Sequence, residues 1–374
     1  MKQIKVLHFY KTYLPDTIGG VEQVINQIAC STANLGVTAE VMSLSPDKVA
    51  RSVDVDGHKV HRCRSLVEVA STPLSLTAFF RFRQLAKRAD IIHYHFPYPF
   101  ADVLHFLCFI RKPVVVTYHS DIIKQKFLLK LYRYLKRHFL NSVDVIVVGS
   151  PNYLASSRVL SKYKNKVSVI PYGLDKNNYT VPKPEDTEKW SRRFGERFFL
   201  FLGVLRYYKG LHILIEAAKG TDYPIVIVGA GPIEKELKRK AEVSGVKNIH
   251  FVGFVEDVDK VALLKLAYAV VFPSHLRSEA FGISLLEGAM YGKPLISSEI
   301  GTGTTYINID KKTGIVVPPS DPSALRDAMD CLWNNPDLAA EMGGNAEARY
   351  KEIFTADKMA ESYVSLYRKL LSED

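Results

Sequence analysis

The sequence predicts an α/β fold of two Rossmann-like, doubly wound domains facing each other across a cleft. Three observations predict it. Short β-rich runs alternate with longer helical patterns along the whole chain. Many of those runs are continuously apolar, as parallel strands covered on both faces are. A polar, proline-bearing stretch at 175–194, with Pro182 and Pro184, separates two halves of similar pattern. A length of 374 residues suits two domains, expected at 1–180 and 181–355.

The first strand is expected at 4–9, inside MKQIKVLHFY, where charge comes too early for a secretory signal. Gly19 and Gly20 then precede a helical pattern over 21–35. Further strands follow near 39–44, 60–63, 91–95, 114–118, 145–148 and 167–170. The second half repeats the alternation, with strands near 199–203, 225–228, 249–252, 270–272, 295–297 and 315–317. Beyond Asp321 the pattern is helical. No apolar run approaches the roughly 20 residues of a spanning helix; the longest, 103–110, contains His105 and stops at Arg111. The four cysteines, Cys30, Cys63, Cys108 and Cys331, have no metal or redox spacing and are expected as reduced thiols in a cytosolic chain.

Charge is uneven. Residues 1–183 carry 26 Lys/Arg against 12 Asp/Glu, and the remainder 24 against 27. A cationic first half predicts an anionic partner. No nucleic-acid recognition motif is present, so nucleic acid is not expected. In 124–139, KQKFLLKLYRYLKRHF, helical period gathers Lys126, Lys130, Arg133 and Arg137 on one face, with Leu128, Leu131, Leu135 and Phe139 opposite. That pattern fits either a core-facing helix with a solvated basic face or a helix lying on anionic lipid. RFRQLAKR at 81–88 is a second basic stretch.

Four constellations carry candidate chemistry. In SEAFGISLLEG, Glu279 falls in a loop and Glu287 inside the helix that follows; the amides of Phe281, Gly282 and Ile283 would face an anion or a sugar hydroxyl at the helix start. By spacing alone a capped amphipathic helix with solvated acids is the readier reading. In GVLRYYKG, Arg206 and Lys209 occupy a strand-to-helix turn suited to phosphate oxygens, or are simply surface cations. Gly19 and Gly20 would let backbone amides approach a phosphate, or make a tight turn. His119, in TYHSD, lies at the carboxyl end of a strand, where ligands bind, though a single His is often structural. Other patterns are weaker. Gly229-Ala230-Gly231 lacks a third glycine at Glu234 and lies far from the first βα unit. His93 and His95 share a strand face without an accompanying ligand cluster, so no metal site is expected. Asp54/Asp56 and Asp257/Asp259 are acidic pairs of a kind that arises by chance.

Taken in order, IGGVEQV, TYHSD, GVLRYYKG and SEAFGISLLEG, with VIPYGLD, IVGAGP, FVGFVED and TGIVVPPSDP, resemble the family-4 retaining glycosyltransferases over nearly the whole chain. The resemblance implies the GT-B architecture, with an N-terminal acceptor domain, a C-terminal nucleotide-sugar domain and a last helix, about 356–371, crossing back onto the first. It implies that Arg206 and Lys209 bind the donor diphosphate and that Glu287 holds the ribose. Glu279 and the amides of 281–283 would meet the sugar and diphosphate, His119 the sugar, and the loop at Gly19–Gly20 the diphosphate. No metal or other cofactor is expected. LISSEIGTGTTYIN resembles bacterial polysaccharide enzymes using GDP-mannose or a related GDP-deoxysugar. The expected activity is a mannosyltransferase of O-antigen or capsule synthesis. It would act on a polyprenyl-diphosphate-linked saccharide at the anionic inner face of the cytoplasmic membrane, as a peripheral enzyme. A UDP-sugar transferase and a nucleotide-sugar-binding or epimerase protein of the same architecture are the alternatives.

Overall fold

The computed structural model describes residues 3–47, 52–69, 72–122 and 126–372, leaving aside the side chains of 69 and 126–131. Two compact units form: residues 1–173 with 355–374, and residues 174–354. Expected at 180, the boundary falls between Gly173 and Leu174. The Leu174 amide donates to the Phe354 carbonyl (3.0 Å) and the Tyr350 hydroxyl donates to the Leu174 carbonyl (2.8 Å), which ties this segment to the second unit.

In the first unit β1 (Ile4–Phe9) leads through α1 (Gly20–Ala33) to β2 (Val37–Ser45). There follow β3 (Ser52–Val55), β4 (His58–Arg64), β5 (Val67–Val69), β6 (Thr72–Leu74), α2 (Leu76–Arg88), β7 (Ile91–Phe96), α3 (Pro99–Leu107) and β8 (Val114–Tyr118). The last members before the boundary are α4 (Lys126–Ser142), β9 (Val145–Val148), α5 (Pro151–Ser156) and β10 (Val167–Val169). The sheet order is β10-β9-β8-β7-β1-β2-β4-β3, parallel except at the β3–β4 edge. β7 and β8 are buried along their whole length, which explains their unalternating sequences. The β3–β4 hairpin was not expected. Asp56 (φ 46°) and Gly57 (φ 84°) make its turn, so the acidic pair Asp54/Asp56 belongs to a hairpin.

The second unit opens with α6 (Pro184–Phe194), within the stretch expected as linker. Pro184 stands in its first turn, Asp186 accepts from the Lys183 amide (2.8 Å), and Trp190 and Phe194 are buried. β11 (Phe199–Leu202), α7 (Leu211–Ala217), β12 (Ile225–Val228), α8 (Glu234–Val243), β13 (Ile249–Gly253), α9 (Asp257–Leu266) and β14 (Ala269–Phe272) alternate from there. α10 (Ile283–Met290), β15 (Leu295–Ser298), α11 (Thr304–Ile307), β16 (Gly314–Val317), α12 (Pro322–Asn334) and α13 (Pro336–Ile353) complete it. The parallel order β13-β12-β11-β14-β15-β16 is the doubly wound arrangement, reversing between β11 and β14. Asp259 accepts from the Trp190 indole (2.6 Å) and Asp257 pairs with Lys260 (3.0 Å), which gives that second acidic pair a structural role.

The chain then returns to the first unit as α14 (Ala356–Ser372), which packs on α1. Its Tyr363 and Tyr367 are fully buried. Among the described residues no helix is long and apolar enough to cross a membrane.

Candidate functional site

The reversal between β11 and β14 is the place where a sheet of this kind leaves room for a ligand beyond its carboxyl ends. Two loops leave from it, and glycines let them come close. Gly210 has φ 72°, and a Cβ there would stand 1.9 Å from the Pro273 carbonyl oxygen. Gly229, at φ 130°, lies against the Gly203 carbonyl, where a Cβ would come to 2.1 Å. The glycines of GVLRYYKG and IVGAGP are therefore packing requirements of strand-end loops.

This closeness brings Lys209 to Glu279. Their side chains form a hydrogen-bonded ion pair, each about nine-tenths buried, with relative exposures of 10% and 11%. The Lys209 ammonium also lies over the Phe272 ring, 4.6 Å from its centroid. The Ser274 hydroxyl donates to the same Glu279 carboxylate (3.4 Å). Burial and then Glu279 push the neighbouring Tyr208 hydroxyl's pKa up, against Lys209 and Arg206. Arg206 caps the short 3-10 turn at Tyr207–Lys209 and its side chain is exposed. A cation held beside a carboxylate at a strand end, with an exposed arginine next to it, can receive an anionic leaving group.

Glu279 lies in the loop and Glu287 inside α10, as the sequence suggested. Gly282 caps α10 at φ 101°, a conformation that favours glycine, and the Ile283 amide stands in the first turn, without a carbonyl of its own helix to bond. Phe281 is buried and packs edge-on against Phe354. Glu287 has a different set of partners. It accepts from the Tyr179 hydroxyl (2.9 Å) and pairs with Lys260 (3.3 Å). Burial opposes the charge on Lys260, but Glu287 and Asp257 outweigh it and hold the ammonium's pKa above its ordinary value.

In the first unit Gly19 is the N-cap of α1 and Gly20 its first residue. The carboxylate of Glu22 folds back against Gly19 and accepts from Thr12 (2.7 Å) and Thr17 (3.2 Å), so an acid of the chain itself occupies this helix start. His119 follows β8 directly. Its ring bonds the chain at both nitrogens: Nε2 with His95 Nδ1 (3.0 Å) and Nδ1 with the Tyr172 hydroxyl (2.8 Å). Burial drives its pKa down to about 3. On α4, Arg133 and Arg137 are exposed while Phe139 and Leu140 are fully buried. Lys126 and Lys130 lie on that helix, but their side chains fall outside the described residues. The sequence did not single out Tyr179, Lys260, Glu22 or Tyr172, and it offered His95 only as a possible metal ligand beside His93. Glu22 and Tyr172 lie within the motifs IGGVEQV and VIPYGLD.

Two units of this doubly wound kind define the GT-B class of glycosyltransferases. Residues 18–178 match the model of glycosyltransferase family 4, and residues 182–349 that of glycosyl transferases group 1. The chain is 60% identical to D-rhamnosyltransferase WbpZ of Pseudomonas aeruginosa, over 94% of this chain and 93% of that protein. It is 52% identical to the O-antigen chain mannosyltransferase C of Escherichia coli, over 98% and 99%. Sucrose-phosphate synthase of Thermosynechococcus elongatus has the same fold, with a TM-score of 0.81 at 19% identity over the full length of both chains. The chain belongs to the family-4 glycosyltransferases, and it is a glycosyltransferase of GT-B fold.

Proposed function

We propose that this glycosyltransferase moves a D-manno-configured hexose, with retention, from a GDP-sugar to a lipid-linked saccharide in O-antigen synthesis. GDP-mannose is the favoured donor. The Lys209–Glu279 pair at the strand reversal of the second unit carries the proposal. When the bond between the anomeric carbon and the diphosphate oxygen breaks, negative charge collects on the departing phosphate. Lys209, Arg206 and the amides at 281–283 stabilise it, and no divalent metal is needed. The acceptor oxygen bonds to the same face of the sugar, and its proton goes to the departing phosphate. Glu287 holds the ribose, and His119 contacts the sugar with its ring, whose two nitrogens stay bonded to His95 and Tyr172.

The names of the relatives support the sugar and the pathway: one is a mannosyltransferase of an O-antigen chain, the other a D-rhamnosyltransferase. D-rhamnose is 6-deoxymannose, so GDP-D-rhamnose is the second reading, favoured by the 60% identity to the rhamnosyl enzyme. The first unit is proposed to meet the anionic inner membrane face through Arg133 and Arg137. Its exposed Leu76, Phe80 and Tyr134, with relative exposures of 76%, 73% and 74%, support interfacial docking. A panel of labelled GDP- and UDP-sugars with synthetic polyprenyl-diphosphate saccharides tests the proposal. Transfer from a GDP-manno donor that survives EDTA is expected. Transfer only from a UDP-sugar, or none after EDTA, refutes the corresponding part.

A further inference from the structure

Four buried histidines meet in the first unit, and the proposed chemistry uses only one of them. His8 of β1 and His93 of β7 are register partners, His95 stands two residues further along β7, and His119 follows β8. Three form a line. His8 Nδ1 lies 3.0 Å from His95 Nε2, His95 Nδ1 lies 3.0 Å from His119 Nε2, and His119 Nδ1 lies 2.8 Å from the Tyr172 hydroxyl. His93 is tied off separately, bonding Tyr367 at Nδ1 (2.8 Å) and Thr117 at Nε2 (2.7 Å). At the inner end of the line, His8 Nε2 is buried and has no hydrogen-bond partner among the described residues.

The nitrogens of His8, His93 and His95 are close enough to suggest a metal site, all within 4.8 Å of one another. The geometry favours hydrogen bonding. Both nitrogens of His93 and of His95 are already bonded, and their rings lie stacked, 20° apart, so their in-plane lone pairs do not converge. Burial also keeps the rings neutral. It pushes the pKa of His8 and His119 down to about 3 and those of His93 and His95 well below the ordinary value.

A neutral imidazole carries one N–H and one lone pair. A line of such rings has two proton arrangements in which every link is satisfied. In one, each ring donates inward, and His8 is left with a buried N–H that has no acceptor. In the other, each ring donates outward, and His8 is left only with a bare lone pair. Orphaned buried N–H groups are the rarer of the two in folded proteins, which selects the outward arrangement.

We propose that His95, backed by His8, is a positioning residue that fixes His119 as its Nδ1–H tautomer and makes the Tyr172 oxygen the acceptor at the end of the line. A ring held in one tautomer and one orientation at the carboxyl end of β8 is what a sugar-contacting His119 requires, and the effect on transfer rests on that reading of His119. The assignment of the proton positions does not.

Long-range proton–nitrogen correlation NMR on full-length protein labelled at histidine nitrogen tests both parts. In the wild type, His119 is expected to be protonated at Nδ1 and bare at Nε2. In His95→Leu that preference is lost and kcat falls by about ten- to a hundredfold, the range for removing the orienting partner of a functional imidazole, with little change in donor KM. His95→Asn, whose amide nitrogen can stand where Nδ1 does, restores both. His8→Phe, which removes the inner end without touching His119, shifts the tautomer in the same direction as His95→Leu and serves if that variant fails to fold. His119 protonated at Nε2 in the wild type, or unaltered in His95→Leu and His8→Phe, overturns the proposal. So does wild-type protein that keeps one equivalent of zinc through EDTA dialysis. If transfer activity itself proves absent, the tautomer result stands alone, so failure of the transferase reading and failure of the histidine line are separable.

Discussion

Replacing Lys209 tests the strand-reversal site most directly, provided that stability and chemistry are separated. An ammonium and a carboxylate about 3 Å apart attract by about 5 kcal/mol at an effective dielectric constant of about 20. Both side chains here are about nine-tenths buried, so desolvation offsets much of that gain. Lys209→Ala leaves Glu279 buried beside a lost partner, at a cost of about 3–5 kcal/mol. Activity lost in that variant alone would be ambiguous. The double variant Lys209→Met/Glu279→Gln removes both charges at similar volume, and its stability should be near that of the wild type. Its transfer rate should still fall by about 10²–10³, the cost of losing preorganised charge opposite a developing anion. Urea unfolding supplies the first quantity, and initial rates with a labelled nucleotide sugar the second. A double variant that is stable and transfers within a fewfold of the wild-type rate would refute the role assigned to the pair.

Gly210→Ala forces a Cβ onto the Pro273 carbonyl at a positive φ and should cost more than about 1 kcal/mol by urea unfolding; an unchanged midpoint contradicts the packing described for the two loops. Arg133→Glu/Arg137→Glu should weaken binding to phosphatidylserine-containing vesicles by about tenfold or more, at about 1 kcal/mol for each lost basic residue near the surface; equal sedimentation with vesicles sinks the membrane role of α4. The first unit should lose stability in acid. Burial holds His8 down to about 3 and His105 to about 4, whereas unfolded histidine titrates near 6.5. Between those values the unfolded chain binds protons that the folded chain does not. The contribution is therefore complete above about pH 6.5 and is lost as the pH falls towards 4 and 3. Denaturation midpoints at pH 7 and pH 5 measure it, and equal values would contradict it.

The parallel strands were legible because burial on both faces writes them as unbroken apolar runs, and β7 shows the pattern even with two histidines in it. The loop position of Glu279 and the helical position of Glu287 were legible from the strand before and Gly282 between. α6 was obscured because Pro184 signals a linker as readily as a helix start. β3 was obscured by its length, although the Asp56-Gly57 turn beside it is a recognised hairpin signal. The partners of the site residues were not legible at all. Glu279 is 70 residues from Lys209 in the chain, Glu287 is 108 from Tyr179, and His8 is 87 from His95. Sheet register and loop packing decide which of them touch, and no local pattern records either.

The return of α14 to the opening unit has a temporal consequence during synthesis. Tyr367 and Tyr363 satisfy His93 and Thr117, so the first sheet reaches the ribosome's exit with a polar seam on one face that nothing yet covers. Residues 174–354 can close upon themselves as they emerge, whereas the earlier-made unit waits for residues 356–372 before its interior is sealed. The part translated first is thus finished last.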